Sequence, residues 1–339
     1  MMKWENLYAT TRIDDNGPKE HNPDKLRTSF LRDYDRLIFS AAFRRLQNKT
    51  QVFPLPGVVF VHNRLTHSLE VASVGRSLGK AVGLLLSDKY TGATVDFKDF
   101  YQNELGNVIA AACLAHDIGN PPFGHSGEDA IRNYFMNLKG DVRRILQQEL
   151  TTNQLADFEN FEGNSNALRV LTHPFNEKKS SYNLTLTTLA SILKYPSNSV
   201  EGFNKKSGII STKKSGHFEA EKATYQRIVQ LFDLPKIEGF SSVYARHPFV
   251  FLTEAADDIC YRIIDIEDAH RLGIVSLQEM MDLFLPFFEQ ETGYNAYDKV
   301  ITQFNDINDA NQKAQYLRAR WIGLMIQYAA STFMQHEEA

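Results

Sequence analysis

The run His116-Asp117-Ile118-Gly119-Asn120-Pro121-Pro122-Phe123-Gly124-His125-Ser126-Gly127-Glu128 sets two imidazoles and two carboxylates around a glycine and proline turn. A simple connection needs far less polar chemistry. Imidazole beside carboxylate at His116-Asp117 suits half of a metal site, and His125 with Glu128 three residues on suits a general base and the group that orients it. A second stretch carries carboxylates in register: Asp257, Tyr261 and Asp265 recur at helical spacing and share one face over two turns. Arg64 and His67, three apart, share a face in the same way.

Helices must position these groups. Val108 to Ala115 is apolar, with Ile109, Ala112, Cys113 and His116 on one helical face, so His116 and Asp117 fall at a helix end that Gly119 and Pro121-Pro122 terminate. Ser126 followed by Asp129 has capping-box-like spacing, and Ala130, Ile131, Tyr134, Phe135 and Leu138 supply the stripe of a helix starting near Gly127. His125 then lies just ahead of that N-terminus, where the helix dipole disfavours the imidazolium. Periodicity predicts further helices over 24–48, from His62 to about Leu86, over 138–157, from about Ser165 to Leu171, from Leu184 to Leu193 and from Phe249 to His270, with amphipathic segments continuing to Met334. Residues 1–22 read as an irregular arm, and 51–61, with Pro54, Pro56, Gly57 and Val58, as a loop or short hairpin. The expected fold is all-α: one mostly helical domain over 1–339, its metal core at about 60–270.

Composition narrows the classes. The chain has 339 residues, 43% hydrophobic, enough for a sizeable core, and its net charge of -4 argues against a globally basic nucleic-acid binder. The two cysteines, Cys113 and Cys260, lie inside helical patterns and fit buried thiols in a reducing, cytoplasmic setting. Neither a signal peptide nor a membrane-length apolar run is visible. The arginines of residues 27–45 are either a solvated face or a surface for subunits or anions, and the lysines from Lys194 to Lys214 either a polar loop or a polyphosphate clamp. On the helix from Phe249, Glu254, Asp258, Glu267 and Asp268 join Asp257 and Asp265 against Arg262 alone, which suggests a nearby cation.

Together His67, His116, Asp117 and Asp257 offer mixed nitrogen and oxygen ligation, suited to Mn, Fe, Co, Ni or Zn and less ideally to Mg. Spacing alone leaves open a scatter of structural polar residues. The order of these motifs resembles the HD superfamily of metal-dependent phosphohydrolases. Arg44-Arg45-Leu46-Gln47, Lys49-Thr50-Gln51-Val52-Phe53-Pro54, Arg64-Leu65-Thr66-His67-Ser68, the run from His116 to Glu128, Phe161-Glu162-Gly163-Asn164 and Glu254-Ala255-Ala256-Asp257-Asp258-Ile259 are similar to bacterial deoxyguanosinetriphosphate triphosphohydrolases. Members of that family usually continue well beyond the position of Ala339, so the family's C-terminal tail is expected to be missing here.

The resemblance implies hydrolysis of a dNTP, dGTP above all, to the 2'-deoxynucleoside and triphosphate. On the matching positions, His67, His116, Asp117 and Asp257 would hold the divalent metal, and His125 with Glu128 would drive attack at the α-phosphorus. Arg64 and Asn120 would lie at the phosphates, Lys194, Tyr195 and Lys214 along the triphosphate, and Gln51, Tyr261 and Asp265 around the deoxyribose. A homo-oligomer, hexamer or tetramer, is implied; single-stranded DNA, for which the arginines of residues 27–45 could form a basic surface, and a second dNTP are open as regulatory partners, and no membrane is expected. The rival expectations are another HD-type nucleotide hydrolysis and a nucleotide-sensing or single-stranded-DNA-binding protein on the same scaffold.

Overall fold

The computed structural model describes residues 2–15, 27–50, 62–174 and 182–337. Gln51 and the anticipated hairpin at 51–61 lie outside the described residues. Helices dominate, and among the described residues the only β-type pairings are isolated bridges such as Arg12 with Thr185 and Thr50 with Asn63. The fold is all-α.

Eight helices build the core and the site: α1 (Ser29–Ile38), α2 (Arg64–Lys89), α3 (Leu105–Ala115), α4 (Gly124–Met136), α5 (Gly163–Thr172), α6 (Leu186–Ile192), α7 (Phe249–Arg271) and α8 (Ala310–Gln335). α3 is the centre. Its alanine-rich sequence has no polar face, and it is buried nearly throughout, wrapped by α1, α2, α6 and α7. α2 crosses it closely: a Cβ at Gly79 would stand 3.0 Å from the Cα of Gly106. That approach seals Leu78, Val82 and Leu86 of α2, each 0% exposed, and burying each such side chain contributes about 2 kcal/mol. α8 packs against α2 and α7. One contiguous apolar cluster runs from Trp4 to Ala330.

Local sequence explains the starts. Thr28 accepts from Leu31 N to cap α1, and Asn63 with Thr66 forms a reciprocal capping box on α2. The periodicity seen over 24–48 is interrupted, because Ser40 caps a new turn, Ala41–Arg44, after α1 has ended. Likewise 138–157 divides into Gly140–Glu149 and Thr152–Glu159, the latter capped by Thr151. The arm is less free than its composition implies: Trp4 and Leu7 are buried, Tyr101 Oη donates to the Trp4 carbonyl, and His247 Nε2 meets the Leu7 carbonyl at 3.0 Å. These anchors come from residues far along the chain. Both cysteines are free and buried. Among the described residues no helix is long and apolar enough to cross a membrane.

Candidate functional site

α2, the end of α3 and α7 converge on one point. His67 Nε2 lies 3.0 Å from Asp257 Oδ1, His116 Nε2 lies 3.5 Å from the same oxygen, and the candidate ligand atoms of the three residues all fall within 4.8 Å of one another. His116 directs Nδ1 to the Cys113 carbonyl at 2.6 Å, which places the proton there and leaves the Nε2 lone pair facing the group. Burial works against a charged Asp257, but His116, the hydrogen bond from His67 and Lys194 outweigh it and hold the carboxyl down at about 2. For His116 burial opposes protonation, yet Asp117 and Asp257 carry its pKa upward. Two imidazole nitrogens and a permanently ionised carboxylate fit a divalent transition metal, which would replace the proton that these carboxylates favour on the ring.

Asp117 stands beside this group. One of its oxygens is 3.7 Å from His116 Nε2, and the pair of them accept from Arg64 Nη1 and Asn120 Nδ2. Arg64, the first residue of α2, is buried at 6% exposure, and its guanidinium is thereby committed to Asp117. The turn that carries Asn120 is held from the other side by Lys49 Nζ, which donates to the Asn120 carbonyl at 2.7 Å.

The second constellation is His125 with Glu128. Their Nδ1 to Oε2 distance is 2.9 Å. Glu128 is buried and held by two more donors, Arg132 Nη2 at 3.0 Å and the backbone N of Gly163 at 2.9 Å. Gly163 matters for its size, since a Cβ there would stand 2.9 Å from Glu128 Oε1 and closer still to Asn120. α4 begins at Gly124, three residues earlier than its apolar stripe and Ser126 suggested. Phe123 adopts the left-handed region (φ 64°) and Gly124 follows it (φ 53°), so the chain reverses directly out of Pro121-Pro122 into the helix and no side chain caps it. His125 therefore sits in the first turn rather than ahead of it, still at the positive end of the dipole.

The site's lysines come from the segment that follows α6 and from the 3-10 turns beyond it. Lys194 Nζ pairs with Glu254 Oε1 at 3.0 Å, and Lys214 Nζ with Glu162 Oε1 at 3.0 Å. Arg64, His67, His116, Asp117, Asn120, His125, Glu128, Lys194, Tyr195, Lys214, Asp257 and Tyr261 all line one cleft of about 540 Å³. Asp265 does not line it. Two turns on from Asp257, it is exposed on the part of α7 that faces Asp268, His62 and His67.

Two participants carried no signal of their own: Arg132 and Arg246 brace Glu128 and Glu254. Glu162, seen in the sequence only as part of a motif and without a role, braces Lys214. On α7, Glu254 is met by Lys194 and Arg246, Glu267 by Arg271 and Arg318, and Asp268 by His62. Most of these compensating charges lie on other elements, and the cation expected near this helix has its candidate ligand in Asp257, grouped with His67 and His116.

Residues 64–269, which span α2 to nearly the end of α7, match the family model described as HD domain. The chain is 38% identical to the deoxyguanosinetriphosphate triphosphohydrolase-like protein of Synechocystis sp., an alignment covering 99% of this chain and 73% of that protein. With the protein of the same name from Listeria monocytogenes it shares 33% identity, over 100% of this chain and 72% of the relative. The deoxyguanosinetriphosphate triphosphohydrolase of Yersinia enterocolitica is 32% identical over 91% of this chain and 64% of its own length. The chain belongs to the HD-domain family of deoxyguanosinetriphosphate triphosphohydrolase-like proteins.

Proposed function

We propose that the protein is a metal-dependent dNTP triphosphohydrolase, with dGTP as its preferred substrate, yielding the 2'-deoxynucleoside and triphosphate. The observation that carries this reading is the shared cleft: the His67, His116 and Asp257 group, the His125 and Glu128 pair, and Lys194 with Lys214 face the same space. The names of the relatives point to the same substrate.

In this reading His67, His116, Asp257 and Asp117 hold a divalent metal, whose bound form supplies Lewis-acid stabilisation at the α-phosphate. Arg64 is the cation that bridges Asp117 to the phosphate, and Asn120 holds the other Asp117 oxygen. Lys194 and Lys214 neutralise the phosphate chain, with Tyr195 packed beside them.

Water adds its oxygen to the α-phosphorus, the bond from phosphorus to the 5'-oxygen breaks, and the departing 5'-oxygen takes a proton. His125 moves that proton: Glu128 accepts from Nδ1 and so fixes the ring with Nε2 directed away from the buried carboxylate. Glu128 itself is anchored by Arg132 and Gly163, so the imidazole has a rigid base. Tyr261, half exposed one helical turn along α7 from Asp257, is the side chain against which the sugar packs. Asp265, two turns from Asp257 on the same helix, keeps its proposed place with Gln51 at the sugar end of the site.

The test is product identification with each dNTP in Mn or Mg. Free triphosphate with the deoxynucleoside supports the reading. Release of a single phosphate or of pyrophosphate, with a dNMP or dNDP left behind, replaces it by another HD-type hydrolysis.

A further inference from the structure

Among the described residues, the cleft proposed to take a triphosphate has no excess of basic side chains. Its wall carries, among the described residues, four Lys and Arg side chains against five Asp and Glu. Three of the four cations are already spoken for: Arg64 by Asp117, Lys194 by Glu254 at 3.0 Å and Lys214 by Glu162 at 3.0 Å. A phosphate arriving at any of these must share the cation with a carboxylate a few ångströms away, which weakens the gain. Lys213 is different. It lines the same cleft, it is exposed, and among the described residues it has neither a carboxylate nor a hydrogen-bond partner for its ammonium.

Its backbone, in contrast, is pinned. Lys213 N donates to the Ile210 carbonyl at 3.0 Å, closing the 3-10 turn Ile210–Thr212, and Thr212 Oγ1 bonds the Ile209 carbonyl at 3.0 Å. On the other side the Lys214 carbonyl accepts from Ser197 Oγ at 2.8 Å, and Ser215 Oγ meets Ser165 Oγ at 2.8 Å. Ser211, Thr212 and Ser215 are buried, so the exposed lysine stands on a fixed base at the cleft. Lys214, next in the chain, turns inward to the buried Glu162, while Lys213 remains at the rim. A phosphate chain that passes Lys214 and runs outward meets Lys213 last.

We propose that Lys213 engages the terminal phosphate and sets the preference for a triphosphate over shorter chains. This inference rests on the proposed function, because it places the phosphate chain in this cleft. Its test uses the full chain with Mn and measures calorimetric binding of inorganic triphosphate and pyrophosphate to the unmodified protein and to Lys213→Gln and Lys213→Arg. Charge-assisted hydrogen bonding to a phosphate predicts that Lys213→Gln weakens triphosphate binding about tenfold, leaves pyrophosphate unchanged, and is restored in Lys213→Arg. In parallel the kcat/KM ratio of dGTP to dGDP should fall by the same factor in Lys213→Gln. Equal losses for both chain lengths, or no loss for triphosphate, overturn the role of Lys213. Absence of triphosphate among the products of the unmodified protein overturns the proposed function instead, and the binding comparison still decides whether Lys213 discriminates chain length.

Discussion

The His125 ring, with a side chain 80% exposed, is held at 2.9 Å by Glu128, whose side chain is 2% exposed. An exposed imidazole is thus tied to a carboxylate that has nowhere to go, because Arg132 and the Gly163 backbone hold it as well.

That coupling predicts non-additive mutants. His125→Ala should lower kcat by about 10²-fold or more with little change in dNTP affinity, since a proton-transfer group acts chiefly in the transition state. Glu128→Ala should act in the same direction, and the double mutant should be no slower than His125→Ala. Glu128→Ala should also reduce thermal stability, because two donors lose their acceptor at a cost of about 1–3 kcal/mol, whereas the exposed His125 should be replaceable at little cost. Steady-state kinetics and thermal melts check both parts, and additive kinetic losses would refute the pairing.

Asp257→Ala removes the oxygen that His67 and His116 both face. Metal content of the purified protein, measured by mass spectrometry, should fall to background and turnover should vanish, while the far-ultraviolet spectrum stays helical. Full metal content at a normal rate would remove Asp257 from the site.

Tyr261 stands one turn from Asp257 on the cleft wall. A ribonucleotide brings an extra hydroxyl against this ring, where it finds no partner, so dGTP should exceed GTP by at least about tenfold in kcat/KM, equivalent to about 1.4 kcal/mol. Tyr261→Ala should narrow that gap. Equal rates of the unmodified protein on the two nucleotides would show that this face does not read the sugar.

His62, just ahead of α2, tests the electrostatics of the scaffold. Burial opposes its charge, but hydrogen bonds to Asp268 and Glu70 outweigh that and push its pKa from 6.5 up to about 10. A folded-state pKa above the unfolded one stabilises fully below the unfolded value and progressively less as pH rises through the folded value. The stability difference between the unmodified protein and His62→Gln should therefore be largest near pH 6 and shrink between pH 6.5 and about 10. Urea unfolding across that range checks the sign. A gap that widens with pH would contradict the ion pair.

The helical class was legible from sequence because the apolar stripes of α2 and α7 repeat at the helix period, and that period is a local property of consecutive residues. The same reason made the shared face of Asp257 and Tyr261 readable, as well as the three-residue step from His125 to Glu128. Local signals misled at α4: Ser126 and Asp129 have the spacing of a cap, but a left-handed Phe123 starts the helix sooner, and a φ of 64° has no signature in a non-glycine residue. Asp265 shares the helical face of Asp257 as well, but how near it comes to a bound sugar depends on the packing of neighbouring elements. What the tertiary structure alone decided is who neutralises whom. Lys214 meets Glu162 across 52 residues of chain, Arg64 meets Asp117 across 53, and His67 meets Asp257 across 190. No periodicity links such pairs, because their distances depend on how α2, α3 and α7 stack against one another.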